Sequence, residues 1–416
     1  MNAAGTFVIV GAGQAGAWAA RTLRDGGHAG RIVLCGAEAH APYERPPLSK
    51  GLITGATEAA ETTLLSMADM QALDVEFLAG RAAVALDAAA RELRFADGAA
   101  IGYDKLLLAT GGSPCRPPLP GFDSARVRTL RTLDDALALR AALAGQPRLV
   151  IIGGGWIGLE LAATARTLGC TVTVIEAAPR FCARSVMAPV SAFLLDRHEA
   201  AGVTVRIGQG VTALEEDAQG GRVRLADGTQ VPADLVLLGV GMQPNDDLAR
   251  EAGLACARGV LVDATCRSSD PHIYAAGDVA VQAHPRVPEG LRLESWQNAQ
   301  DQGAAAARAM LGEPVSYAPV PLVWSEQYEH MIQIAGFPAL ARRTVMRPAG
   351  ATGRLYLGLD AAGAVVAAVG IDAGRDFRVA RKLVEQGAAA PADYEDCIDA
   401  PDAVAPLAPR NPELAA

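Results

Sequence analysis

Lysine is scarce in this 416-residue chain: Lys50, Lys105 and Lys382 are the whole set, so nearly every basic residue is an arginine. Positive charge is also in deficit overall, with a formal net charge of -9 at pH 7. That balance argues against a general nucleic-acid-binding role, although a local basic patch can still receive an acidic partner. The seven cysteines are scattered (Cys35, Cys115, Cys170, Cys182, Cys256, Cys266 and Cys397). None makes a C-x-x-C pair or a metal-ligand spacing, so no metal is expected. An odd, dispersed set reads as reduced thiols in a cytoplasmic protein. No apolar run is long enough to cross a bilayer, and residues 1–6 lack the basic and apolar regions of a signal peptide. The six histidines are dispersed, and no Ser-His-Asp set or paired carboxylate site is visible.

Half of the composition is hydrophobic and a fifth is charged, which is the balance of a globular protein with room for two or three domains. Its clearest pattern is a repeat. "TFVIVGAGQAGAWAARTLRDGG" opens with a short β-rich run, places glycines at 11, 13 and 16, and continues as an Ala-rich helix. "RLVIIGGGWIGLELAATARTLGC" does the same with Gly153, Gly155 and Gly158. Each is followed by a second strand ending near an acid: "RIVLCGAE" at Glu38 and "TVTVIE" at Glu176. A glycine turn at a strand end lets the backbone approach a pyrophosphate. The following helix points its positive end at the phosphates, and the acid accepts from a ribose hydroxyl. One such motif is weak, whereas two in matching contexts predict two dinucleotide sites.

Further echoes support duplication. "RELRFADGAAI" and "GRVRLADGTQV" predict hairpins with Asp-Gly turns. "IGYDKLLLATGG" and "VPADLVLLGVG" each place an aspartate before a buried strand that ends in glycine. The Pro-rich run 113–121 reads as an interdomain linker. After Pro319, "PLVWSEQYEHMIQIAG" and "GRLYLGLDAAGAVVAAVGI" predict antiparallel strands, and "RDFRVARKLVEQG" predicts a late helix. The fold class expected is α/β, two dinucleotide-binding domains plus a C-terminal α+β domain. Residues 1–114 and 242–320 form the first domain, 115–241 the second and 321–405 the third, with a frayed tail over 406–416. Glu176 favours a free 2′-hydroxyl, hence NADH over NADPH; Arg180 and Arg184 nearby could soften that preference.

The order GAGQAG, PYERPPLSK, LLLATGG, GGGWIGLE, VTVIE, AAGDVA, ESWQNA and PLVWSEQ resembles the FAD-dependent, NADH-using ferredoxin reductases of bacterial oxygenase systems, from about residue 6 to 387. The fold implied is glutathione-reductase-like. The activity implied is hydride transfer from NADH to the flavin, then single-electron transfer to a 2Fe-2S ferredoxin, of Rieske or other type. Such ferredoxins feed a terminal oxygenase, as in aromatic hydrocarbon catabolism. A rubredoxin reductase or an NADH oxidase of similar build stays open, as does a monomer or a homodimer. No nucleic acid or membrane partner is implied.

The resemblance assigns FAD to Gly11, Gly13, Gly16, Glu38, Arg45, Pro47, Lys50, Ala109, Thr110, Gly111, Asp278, Trp296 and Trp324. It assigns NADH to Gly153, Gly155, Ile157, Gly158, Glu160, Glu176, Arg184, Gly241 and Glu294. Lys50, Glu160 and Trp324 carry the catalytic roles: Lys50 stabilises charge at the flavin, with Glu160 as its candidate partner, and Trp324 lies at the flavin edge. Where related disulfide reductases carry a C-x4-C pair, this chain has ERPPLSK, and Cys35 reads as a packing residue. Arg342, Arg343, Arg347, Arg375, Arg378, Arg381 and Lys382 are the candidate ferredoxin-facing charges.

Overall fold

The computed structural model describes residues 5–218 and 220–396. Cys397 and the tail 406–416 lie outside the described residues. The chain forms two compact units. The first combines the chain up to Cys115, Arg131–Leu137 and Met242–Pro319; the second combines Arg116–Leu130, Ala138–Gly241 and the chain from Val320. Arg131–Leu137 was expected with the second nucleotide motif but packs with the first unit, because its side chains and amides are held there.

The first unit is built on a parallel sheet in the order Ile273–Ala275, Lys105–Leu108, Phe7–Val10, Ile32–Cys35, Val75–Leu78. Its central strands read FVIV and IVLC and are buried throughout. Both faces of this sheet are covered, which is why the strands are continuously apolar rather than alternating. Phe7, Ile9, Ile32 and Leu34 pack toward the helices, while Val8, Val10, Val33 and Cys35 pack toward the opposite side. The helix Gln14–Asp25 lies against the helix Trp296–Met310. Their backbones approach so closely that a Cβ at Gly303 would sit 2.3 Å from the carbonyl oxygen of Ala15. This explains the uncharged, alanine-rich run in the second helix.

The second unit repeats the plan. Its parallel sheet runs Thr204–Ile207, Thr171–Glu176, Arg148–Ile152, Leu235–Leu238, Val127–Arg128. The echoed aspartates now have a physical role. Asp104 accepts from the amide of Thr6 at 2.7 Å, and Asp234 accepts from the amide of Arg148 at 2.9 Å. Each therefore clips the start of a return strand to the start of its glycine-motif strand. The Arg148 guanidinium, bonded to Asp234, holds that carboxyl down to about 2. Both Asp-Gly turns are present, with Gly98 at φ 84° and Gly228 at φ 87°. The amides of Gly98 and Gly228 bond back to Phe95 and Leu225, giving bulged rather than two-residue hairpins.

Two expectations change. The Pro-rich run after Gly111 does not begin as a free linker: Gly112–Pro114 pairs antiparallel with Met242–Pro244. The strand Ile32–Cys35 also stops three residues before Glu38, which lies in a bend. The second unit also holds a six-stranded antiparallel sheet, in the order Leu322–Gln327, His330–Gly336, Val365–Ile371, Gly353–Leu359, Arg343–Ala349, Glu395–Asp396. The helix Gly374–Gln386 covers it through Phe377, Ala380 and Val384.

Candidate functional site

The two glycine turns are built alike. Gly11 and Gly153 have φ of 116° and 110°, a backbone open to glycine alone. A Cβ at Gly11 would lie 2.1 Å from the carbonyl oxygen of Ala109, and one at Gly153 would lie 2.4 Å from that of Gly239. The third glycines permit close strand–helix packing: a Cβ at Gly16 would meet the Gly11 oxygen at 2.0 Å, and one at Gly158 the Gly153 oxygen at 2.3 Å. The middle glycines differ in kind. Nothing lies within 4 Å of a Cβ built on Gly13, and one on Gly155 meets only the Gly239 oxygen at 3.9 Å. Both precede helices that lack a side-chain cap, so first-turn amides face this open side. Each turn therefore presents a cradle for an anionic group that a methyl at the middle glycine would fill.

Around the first turn, Glu38 accepts from the Tyr43 hydroxyl at 2.5 Å and from Arg45 at 2.9 Å. Arg45 also donates to the Arg131 carbonyl and lies over the Tyr43 ring. The Tyr43 hydroxyl accepts from the amide of Leu133 at 2.9 Å, and burial raises its pKa so that it keeps its proton. Asp278, on the short turn Gly277–Val279, pairs with Arg131 at 2.9 Å. Ala109, Thr110 and Gly111 follow the return strand. The Thr110 hydroxyl donates to the Asn245 carbonyl, and the Asn245 amide group donates back to the Thr110 carbonyl. Pro47 sits in the 3-10 turn Pro46–Ser49, and Lys50 closes it, with Nζ donating to the Pro46 carbonyl at 3.2 Å. Trp296 opens its helix behind Ser295, whose hydroxyl accepts from the amide of Asn298. Glu294, assigned to NADH, lies in this first unit, exposed and paired with Arg292 at 2.7 Å.

The structure thus brings together Glu38, Arg45 and, through Arg131, Asp278. Sequence reasoning missed Arg131, Tyr43 and Asn245. Tyr43 stood inside the quoted PYERPPLSK motif; Arg131 and Asn245 carried no local signal, since their partners are far along the chain.

In the second unit Glu176 ends its strand and accepts two amides, from Gly154 and from Ala178, each at 2.6 Å. The glycine loop itself therefore orients this carboxylate. Arg184 is exposed, 4.0 Å from the position of a Cβ on Gly241. Arg180, the other charge near Glu176, donates to the Val186 and Ala183 carbonyls and the Ser191 hydroxyl and so holds the following loop. Ile157 is 48% exposed on the first turn of the helix Trp156–Thr167. One turn further in, Glu160 is buried and accepts from the Ser325 hydroxyl at 2.7 Å. Trp324 lies beside Ser325 on the strand Leu322–Gln327, facing the opposite side.

None of the six described cysteines is in a disulfide. Cys35 is buried beneath the first turn, and burial pushes its thiol up to about 12. Among the described residues no cluster of His, Cys, Asp or Glu could hold a metal, and no helix is long and apolar enough to cross a membrane. Arg375, Arg378, Arg381 and Lys382 are exposed on one helix. Two of the candidate charges are paired: Arg347 with Asp376 at 2.8 Å, lying over Tyr394, and Arg381 with Glu385 at 2.9 Å.

Residues 5–303 match the family of pyridine nucleotide-disulphide oxidoreductases, and residues 322–403 match the Reductase C-terminal family. The ferredoxin–NAD(+) reductase component of the biphenyl dioxygenase system of Paraburkholderia xenovorans is 43% identical, over 91% of this chain and 93% of its own. The corresponding component of the p-cumate 2,3-dioxygenase system of Pseudomonas putida is 40% identical over the same shares. A solved ferredoxin reductase for the CYP199A2 system of Rhodopseudomonas palustris superposes with a TM-score of 0.89 at 36% identity, covering 92% of this chain and 95% of that one. Putidaredoxin reductase, solved in covalent complex with putidaredoxin, gives 0.88 at 34%, covering 92% and 94%. With twin glycine turns, a C-terminal antiparallel sheet and relatives matched over almost their full length, this chain belongs to the pyridine nucleotide-disulphide oxidoreductases, in the family of oxygenase-system ferredoxin reductases.

Proposed function

We propose that this protein is an NADH-dependent ferredoxin reductase that passes electrons to a 2Fe-2S ferredoxin, of Rieske type or close to it, serving a terminal oxygenase. One observation carries the reading. The chain has two dinucleotide cradles, and the cysteine beneath the first is a buried thiol held protonated. A buried, protonated thiol is a poor nucleophile, so Cys35 is set aside as a redox group and transfer between two bound cofactors is the reading kept.

The residues present fit FAD in the first unit. Amides beside Gly13 would hold the pyrophosphate, Glu38 a ribose hydroxyl and Asp278 a ribityl hydroxyl. Arg45 and Arg131 orient the two carboxylates. Gly155 and Glu176 would take the same parts for NADH, with Ile157, Arg184 and Gly241 beside them. FAD, when bound, accepts an electron pair as hydride and releases electrons singly. The Lys50 ammonium stabilises negative charge at that cofactor, and Glu160 lies to the nicotinamide side. Glu294 is a rim contact. The working domains are 1–114 with 131–137 and 242–320 for FAD, 115–130 with 138–241 for NADH, and the C-terminal part from 321. Reduced cysteines support a cytoplasmic location. The exposed Arg375, Arg378, Arg381 and Lys382 suit an acidic ferredoxin.

The deciding experiment is cytochrome c reduction by NADH, with and without a 2Fe-2S ferredoxin. Strong dependence on the ferredoxin is expected. Equally fast NADH consumption without a carrier would instead identify a small-acceptor reductase. Glu176→Ala should narrow the kcat/KM ratio of NADH over NADPH by about tenfold, the worth of hydrogen bonds to one charged group. An unchanged ratio would move ribose recognition to another residue. Lys50→Ala should slow flavin reduction, followed by stopped flow, by about a hundredfold; wild-type rates would return Lys50 to a turn-capping role.

A further inference from the structure

Behind Glu160 lies a file of polar side chains that no step above uses. The Ser325 hydroxyl is 2.7 Å from Glu160 Oε1, and Gln327 Nε2 is 3.1 Å from Ser325 Oγ. Gln327 Oε1 is 2.9 Å from His198 Nε2, and His198 Nδ1 is 3.1 Å from the Tyr328 hydroxyl. Ser325 and His198 are 0% exposed, Gln327 3% and Glu160 6%. Burying four polar groups in a row is costly unless each is satisfied by the next. Ser325 and Gln327 alternate along one strand and so share the face that reaches the helices bearing Glu160 and His198.

The donor inventory permits one polarity. An amide nitrogen only donates, so Gln327 gives a hydrogen to Ser325 and turns its oxygen to His198. That oxygen requires Nε2–H on the imidazole. Burial lowers the pKa of His198, so the ring is neutral and Nδ1 is an acceptor. Tyr328, whose pKa burial pushes up to about 12, then donates to Nδ1. The one hydrogen of Ser325 is left for Glu160. We propose that Tyr328, His198, Gln327 and Ser325 form a one-way chain of hydrogen bonds, all donors directed at Glu160, that positions its carboxylate. The chain does not conduct protons, because the amide at its centre would have to tautomerise to relay one. Successive bonds polarise one another, so the far end contributes to the near one. The turn fits this purpose: Tyr328 takes φ 53°, an unusual conformation for an aromatic residue, and its hydroxyl is tied to His198. Phe181, edge-on to His198, closes the side of the chain.

This inference rests on the placement of Glu160 at the nicotinamide side, and its test separates the two. In the FAD-loaded protein, the Glu160 carboxylate band is identified in difference infrared spectra by its loss in Glu160→Gln. Ser325→Ala, which removes one hydroxyl and no packing volume to speak of, should shift that band. It should also lower kcat at saturating NADH by about tenfold while leaving KM for NADH within about twofold. Tyr328→Phe should move both in the same direction by less. Nitrogen-15 NMR should show one imidazole, absent in His198→Gln, as a neutral Nε2–H tautomer at pH 7. An Nδ1–H or doubly protonated His198 would overturn the chain. So would an unshifted band in Ser325→Ala, even with a lowered Tm, since that is what packing alone predicts. If Glu160→Gln reduces flavin at the wild-type rate while the band shift and tautomer hold, the chain stands and the nicotinamide-side role of Glu160 falls.

Discussion

Gly13→Ala is expected to fold with near wild-type stability and to purify without FAD, whereas Gly11→Ala, two residues away, is expected not to fold. The contrast follows from what a methyl would meet. At Gly13 the backbone is extended, φ -87° and ψ -163°, and no atom lies within 4 Å of the new carbon. Loss of a glycine at that helix boundary costs within about 1 kcal/mol. The methyl would, however, occupy the open side of the turn, where a pyrophosphate would approach. At Gly11 the methyl would lie 2.1 Å from a main-chain oxygen, in a φ of 116°. Neither the sheet nor the return strand can yield, so the cost should exceed about 4 kcal/mol, the range of severe core lesions. Gly155→Ala is the mirror case in the second unit. It should keep its flavin and raise KM for NADH by tenfold or more. Flavin absorbance per mole of protein, a melting curve and NADH titration read all three variants. Full flavin content in Gly13→Ala would show that the first turn is not the pyrophosphate site.

Asp278→Ala should lose flavin readily and melt at a lower temperature. The side chains of Asp278 and Arg131 are 13% and 22% exposed, so the pair is largely withdrawn from water. Removing the carboxylate leaves a guanidinium without its counter-ion, at a cost of about 3 kcal/mol. It also removes the acceptor assigned to a ribityl hydroxyl. Arg131 Nη2 lies 3.1 Å from where a Cβ on Gly111 would be, so a displaced Arg131 would also disturb the end of the return strand. Asp278→Asn keeps an acceptor and should lose much less. Flavin release on stepwise heating, followed by fluorescence, measures the difference. Retention equal to wild type in both variants would reduce the pair to a surface clip.

Much of this was written in the local order of residues. The glycine turns, the strands before them, the Asp-Gly hairpins and the acid at Glu176 were legible because each is marked by a short run of residue types, even where its packing partner, such as Ala109 against Gly11, lies far along the chain. There, backbone sterics and short-range hydrogen bonds decide conformation. The aspartates before the return strands were visible as an echo, but their purpose was not, since Asp104 acts on Thr6 across 98 residues.

What only the tertiary structure decided is which charge meets which. Arg131 pairs with Asp278 across 147 residues, and Ser325 reaches Glu160 across 165. Arg180 stood near Glu176 as a charge that could soften the cofactor preference and is a loop brace; Arg347 stood among the ferredoxin-facing charges and is paired with Asp376. A side chain's charge is a property of its residue type, and sequence alone reports it. Whether that charge is spent on a neighbour or kept for a ligand depends on distances set by packing, and no local pattern encodes those.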